Sequence, residues 1–174
     1  EGDAFNPMTV NMLRVLDTFN EEFVAISYPD PPVGPLPEFI LRLHRDETDV
    51  LQNYAKKLSK DSIDLYSARY NFTPQEPIIV EIYPNHEDFV VRSIGMPGVG
   101  ILGVTFGYLF AMDSPTGHPE QSYHWGTTLW HEMAHVFTLE ATNHFVPRWF
   151  SEGISVYEEW RTGPIPGRKI PTDV

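Results

Sequence analysis

The chain has 174 residues, 41% of them hydrophobic and 13% aromatic, which suits one folded domain with a substantial core and not a disordered segment. A formal net charge of −12 argues against a phosphate-binding surface and hence against nucleic acid as a partner, and no apolar run approaches the ~20 residues that span a bilayer. The absence of cysteine removes disulfides, thiol catalysis and Cys-ligated zinc, without fixing a compartment.

In chain order, Met12, Leu13, Val15, Leu16 and Phe19 recur at helical spacing over about residues 9–22. Phe23 to Tyr28 reads as a short strand. Pro29, Pro31, Pro32, Pro35 and Pro37 end it, because fixed φ and missing N–H groups force an extended loop. A long helix is predicted between about Glu38 and Tyr70, with a break near Asp46. Leu51, Tyr54, Ala55, Leu58 and Ile63 face inward on it, and Lys56, Lys57 and Lys60 form a solvated face. Ile78 to Tyr83, β-branched and bounded by Pro77 and Pro84, is a buried-strand signal, and a short helix is expected from His86 to Ile94.

Residues 95–107 carry glycines at 95, 98, 100, 103 and 107. No Lys-Ser/Thr pair follows, so a phosphate cradle is disfavoured, and the stretch reads as a turn leading into a strand over Tyr108–Asp113. Ser114 to Gln121 is a loop, followed by a helix from about Ser122 to Ala141. Residues 142–146 connect to a last helix, which Pro147 can begin at its first position and which Gly163-Pro164 and Pro166-Gly167 terminate. There is no repeat and no low-complexity segment. Strands followed by two adjacent helices imply an α+β domain. The chain starts Glu1-Gly2-Asp3, without initiator Met or signal peptide, and stops at Thr172-Asp173-Val174 in a Pro/Gly-rich stretch. The expectation is a single domain over 1–174, excised from a longer protein and truncated at its C-terminus, any targeting segment having been lost.

The sharpest signal lies in the 122–141 helix: His131-Glu132-Met133-Ala134-His135. At this chain's own His and Glu content, chance yields roughly 0.02 such patterns. Residues i and i+4 of a helix lie one above the other, so the two imidazoles can bind one metal from a rigid support. Glu132 points toward the same cleft and can take a proton from a metal-bound water. Trp130, Met133, Ala134, Val136, Phe137 and Leu139 make the surrounding run apolar, as a buried active-site helix requires. Neutral imidazole suits Zn²⁺, and a catalytic zinc needs three protein ligands and one open position.

The third ligand must come from elsewhere. Glu140 lies about 140° around the same helix from His135 and faces away. His144 falls in the connection and reads as a polar loop residue. The zinc motif with a third His needs Gly three and His six residues after the second, where this chain has Thr138 and Ala141. Glu152 fits best: it lies on a separate helix in an apolar stretch where an unpaired carboxylate is costly, and Gly153 beside it permits close approach. Glu158 and Glu159 lie further along. Glu159 is two turns beyond Glu152 on one face, suited to accept the free N–H of a ligand histidine, with a solvated acidic helix end as the plain alternative.

His131-Glu132-x-x-His135, sixteen residues, then Trp149-Phe150-Ser151-Glu152-Gly153-Ile154-Ser155-Val156-Tyr157-Glu158-Glu159 resembles the gluzincin zinc metallopeptidases. The chain looks most similar to the bacterial peptidase MA-like domain, often found with tetratricopeptide repeats, with a more distant likeness to the aminopeptidase N group and thermolysin. Upstream, Ile79 to Pro84, Gly103 to Gly107 and Met112 to Pro115 fit the same resemblance. It implies a zincin-like fold with His131, His135 and Glu152 as zinc ligands and Glu132 as general base. It also implies a peptide or protein substrate, an extracytoplasmic (periplasmic or secreted) setting, and repeat domains elsewhere in the full-length protein. The strand near Tyr108–Asp113 would be the edge strand that pairs with substrate backbone. Thermolysin-type enzymes place Asp four residues after the ligand Glu. Here Val156 stands there, leaving Glu159 for the outer role. The Tyr or His that stabilises the oxyanion in related peptidases lies further downstream, beyond this chain. Two other readings compete with zinc-dependent peptide hydrolysis: a non-catalytic zinc-binding domain that binds a peptide or partner, and a zinc hydrolase of a non-peptide amide or ester.

Overall fold

The structure is a computed structural model that describes residues 6–32, 34–96, 98–117 and 124–165. Helix α1 (Pro7–Glu22) leads into strand β1 (Phe23–Tyr28), and β2 (Phe39–His44) returns beside it, antiparallel from Phe23↔His44 to Tyr28↔Phe39. Helix α2 (Arg45–Tyr70) then crosses back to β3 (Ile78–Tyr83), which is parallel to β2. Parallel neighbours need such a crossover, and α2 is well terminated for the task. The His44 ring accepts the Asp46 N–H, Asp46 and Glu47 sit in the first turn, and Asn71 closes the helix in the left-handed region.

Helix α3 (His86–Ile94) and the hairpin β4 (Gly103–Phe106) and β5 (Leu109–Asp113) complete a five-stranded mixed sheet of order β1-β2-β3-β5-β4. A short 3₁₀ turn (Pro115–Gly117) precedes α4 (Trp125–Ala141) and α5 (Arg148–Thr162). The architecture is α+β.

Side-chain alternation along the strands decides the layers. Phe39, Leu41 and Leu43 of β2, Ile78, Val80 and Ile82 of β3, and Phe110 and Met112 of β5 point to one face. There they pack on Leu51, Ala55, Ile63 and Tyr66 of α2 and on Leu129, Met133, Val136 and Phe137 of α4. The other face is covered by α1 and α3, through a smaller cluster of Tyr83, Phe89, Val90 and Ala111. Each fully buried side chain of this kind stabilises the fold by roughly 1.5–3 kcal/mol. The α2/α4 face holds most of them, so the helix carrying the histidines is anchored in the main core. Among the described residues, no helix is long and apolar enough to cross a membrane.

Five expectations change. The helix predicted from Glu38 begins only at Arg45, because Phe39–His44 is strand β2, with Phe39, Leu41 and Leu43 buried in alternation. Tyr54, expected inward, is 64% exposed. The glycine-rich stretch is more than a turn, since Gly103–Phe106 forms β4. This strand takes the sheet edge and leaves Leu109–Asp113 between β3 and β4, so β5 is an interior strand and cannot receive a substrate backbone. Finally, Pro147 is the extended residue before α5 (φ −64°, ψ 140°) and not its first helical one. Ser122, Tyr123 and the Pro166-Gly167 terminator lie outside the described residues.

Candidate metal centre

Helix α4 begins at a histidine cap: His124 Nδ1 accepts the Thr127 N–H at 3.1 Å. Its buried stripe faces the sheet, and His131 and His135 emerge one turn apart on the side facing α5. Their Nε2 atoms lie 3.0 Å apart, and Glu152 Oε2, from the second turn of α5, is 3.4 Å from each. Donors at ~2.0–2.2 Å from a tetrahedral cation stand about 3.3–3.5 Å from one another, so the triangle fits a single ion. Among the described residues this is the one group of three such side chains able to hold a metal.

Two hydrogen-bond systems orient the rings. His131 Nδ1 is bonded to Glu159 Oε1, and Glu159 is almost fully buried. His135 Nδ1 lies 2.8 Å from Ser151 Oγ, which is 2.7 Å from Thr138 Oγ1, which donates to the His135 carbonyl at 3.1 Å. That sequence closes in one direction only. The ring N–H donates to Ser151, Ser151 to Thr138, and Thr138 to the backbone. Both rings therefore carry their proton on Nδ1, and both Nε2 lone pairs converge on the point that Glu152 also faces.

The electrostatics follow from that convergence. Burial lowers the pKa of His131, but the Glu159 hydrogen bond and the charges of Glu132, Glu159 and Glu152 outweigh it and raise it overall. His135 is lowered to about 4, by burial first and then by the charge of His131. A proton on His131 Nε2 can thus stand between the rings where a cation would. Glu132 is pushed up to about 7 because it is buried, and the Thr105 hydroxyl and His131 only partly counter this. Its Oε2 accepts from Thr105 Oγ1 at 2.6 Å.

His131, Glu132, His135, Glu152 and Glu159 all line one open cleft of about 1080 Å³, with β4 residues Gly103, Val104 and Thr105 along its wall. All five residues singled out in the sequence are thereby brought together. The reasons given for Glu152 need correcting. Its side chain is 43% exposed beside Arg148, so no burial cost selects it, and nothing lies within 4 Å of a Cβ built on Gly153. Glu152 belongs because α5 presents it to the two rings. Glu159 is no solvated helix end. Glu140 and His144 pair with each other at 3.2 Å, away from the triangle. Glu158, a rejected ligand candidate, is fully buried and bound by Arg69, Tyr70 and Thr162.

Sequence reasoning missed Ser151, Thr138, Thr105 and Gly103. Ser151 immediately precedes Glu152, the candidate third ligand, and could have been suspected. Gly103 and Thr105 fell within a stretch that fits the resemblance, but their role at Glu132 was not legible because the strand itself was not anticipated. Compared with family models, with curated proteins and with solved structures, the chain matches none.

Proposed function

We propose that this chain is a zinc metallopeptidase domain of zincin-like fold that hydrolyses peptide bonds. One observation carries the reading: two imidazole nitrogens and a carboxylate oxygen converge beside a buried glutamate inside an open cleft. Two His and one Glu form a donor set used by catalytic zinc, whereas structural zinc is enclosed by four protein ligands. Bound there, zinc would supply Lewis acidity, lowering the pKa of water toward ~7 and polarising the scissile carbonyl.

The chain's own residues supply the rest. Glu132, poised near neutrality, takes a proton from the attacking water and returns it to the leaving amine. Glu159 and Ser151 hold the histidines in the tautomer that offers Nε2. Among the described residues the outer edge of β4 pairs with no strand; it borders the cleft and offers backbone groups to an extended peptide, the part expected of Leu109–Asp113 from sequence.

The test is Glu132→Gln, with zinc content measured beside digestion of a peptide library. Both forms should hold about one zinc per chain, as expected when ligands and base are separate residues. Only the wild type should cleave. Zinc bound without cleavage of any peptide by the wild type would favour the binding-module reading.

A further inference from the structure

Edge strand β4 does more than border the cleft. Its alternation turns Gly103 and Thr105 toward α4 and Val104 toward the opposite face, where it packs with Ala111. The two α4-facing positions meet Glu132 in different ways. Thr105 Oγ1 lies 2.6 Å from Glu132 Oε2 and 3.2 Å from the Glu132 carbonyl. A hydroxyl has a single proton, and the shorter contact to a charged acceptor takes it. At Gly103 the contact is one of space. A Cβ there would stand 2.6 Å from Glu132 Oε1, 2.7 Å from Cγ and 2.8 Å from Cδ. The glycine is required by this close approach and not by its backbone conformation.

We infer that Gly103 and Thr105 together form the seat that positions the Glu132 carboxylate, bare backbone under one oxygen and a hydroxyl on the other. The inference rests on the reading of Glu132 as general base. A glutamate side chain rotates about three bonds, and among the described residues Thr105 provides the only hydrogen bond to this carboxylate. Thr105 and Gly103 are positioning residues, acting on the reaction through Glu132 alone. Thr105 engages Oε2 while Oε1 rests against Gly103, so the two oxygens are held in unequal surroundings.

The experiment measures binding, so it does not depend on finding a substrate. Zinc-loaded wild type, Thr105→Val, Thr105→Ser, Gly103→Ala and Glu132→Gln are titrated calorimetrically with a small hydroxamate, whose hydroxyl donates to a correctly placed carboxylate beside the metal. Zinc content and thermal melting are recorded for each. Thr105→Val and Gly103→Ala should weaken hydroxamate binding by roughly 10-fold with zinc content unchanged, the loss expected when a charge-assisted contact is misplaced. Thr105→Ser, which restores the hydroxyl, should recover most of it. Where a peptide is cleaved, kcat should fall by the same factor at constant KM.

A purely structural role predicts lower melting temperatures and unchanged hydroxamate affinity in the folded variants. That result, with Glu132→Gln still weakening binding, overturns the seat and leaves the base intact. Wild-type affinity in Glu132→Gln overturns the base reading and the seat with it. If Thr105→Val does not fold, Thr105→Ser and Gly103→Ala still decide, because only positioning predicts that an added methyl at 103 mimics loss of Glu132.

Discussion

Arg69→Ala probes what holds α5, the helix that carries Glu152, in place. Arg69 lies on α2 and Glu158 on α5, and the guanidinium meets Glu158 Oε1 at 2.6 Å. The Tyr70 hydroxyl donates to the same oxygen at 2.7 Å, and Thr162 Oγ1 donates to Oε2 at 2.9 Å. Removing one partner of a buried ion pair costs roughly 3–5 kcal/mol, because the other charge stays desolvated. Two neutral donors remain, each offsetting on the order of 1 kcal/mol. The Arg69 side chain is also 25% exposed, so solvent already screens part of the pair. The expected loss is therefore about 1–3 kcal/mol, which lowers Tm by roughly 3–9 °C in a domain of this size. Thermal melting followed by circular dichroism reads this directly. Adding Glu158→Gln to Arg69→Ala removes the stranded charge and should recover part of the loss. A melting temperature within about 2 °C of wild type would refute the reasoning, since a stranded buried charge cannot be that cheap.

Three further outcomes are expected. Ser151→Ala and Glu159→Ala each remove the partner of one histidine Nδ1, and each should weaken zinc binding by about 10- to 100-fold in competition with a chromophoric chelator. Unchanged affinity in both would show that ring orientation does not depend on them. Glu152→Ala leaves two imidazoles to hold the metal and should bring zinc content well below one per chain after dialysis, while the fold persists because the side chain is 43% exposed. In metal-free protein, Glu132 binds its proton more tightly when folded, its pKa being raised from 4.5 to about 7. The folded state then holds a proton that the unfolded state has lost, so this group's contribution to stability falls as pH rises from about 4.5 to 7, by on the order of 3 kcal/mol. Glu132→Gln lacks that loss. Urea unfolding in chelator should show the variant gaining on wild type between pH 4 and 8, and a pH-independent difference would contradict the buried, proton-holding state of Glu132.

The site was more legible than the sheet, for physical reasons visible in particular residues. His131, Glu132 and His135 are legible because one helix fixes their mutual placement within five residues. Glu152 and Glu159 share α5 at a two-turn spacing, so one helix again carries the relation. The contacts between helix and strand were not local. Phe39–His44 has only one β-branched residue, and its leucines suit a helix as well as a strand. What settles it is pairing with β1 and β3, invisible within six residues. Gly103–Phe106 is shorter still and opens on glycine, which weakens a strand signal. Losing that strand meant losing Thr105, and it also assigned the sheet edge to Leu109–Asp113. Glu152 was reached for a reason the fold does not support. Its half-exposed side chain costs little to solvate, and its position relative to α4 is what matters.

Four of the five glutamates on α4 and α5 show how environment separates roles that sequence alone leaves equal. Glu158 and Glu159 are adjacent, so the helix turns them about 100° apart. One reaches Arg69 of α2 inside the core, and the other reaches His131 of α4 at the cleft floor. A one-residue shift of α5 against α4 would exchange those partners, leaving a guanidinium facing the wrong helix and a ligand histidine without its acceptor. The Arg69–Glu158 pair thus sets the register in which Glu159 can orient His131, and the same register brings Glu152, two turns back, to the paired Nε2 atoms. Glu152 is half-exposed beside Arg148, which suits a carboxylate able to meet a cation. Glu132 is buried, which raises its pKa to about 7 against the opposing pull of the Thr105 hydroxyl and His131, into the range where a general base transfers protons most effectively. The burial of Glu158 and Glu159 therefore fixes where α5 presents the half-exposed Glu152 to the two rings. Neutralising Glu158 should damage metal binding although it touches no ligand atom, with Glu158→Gln weakening zinc affinity by about 10-fold, at the lower end of the range for such supporting residues.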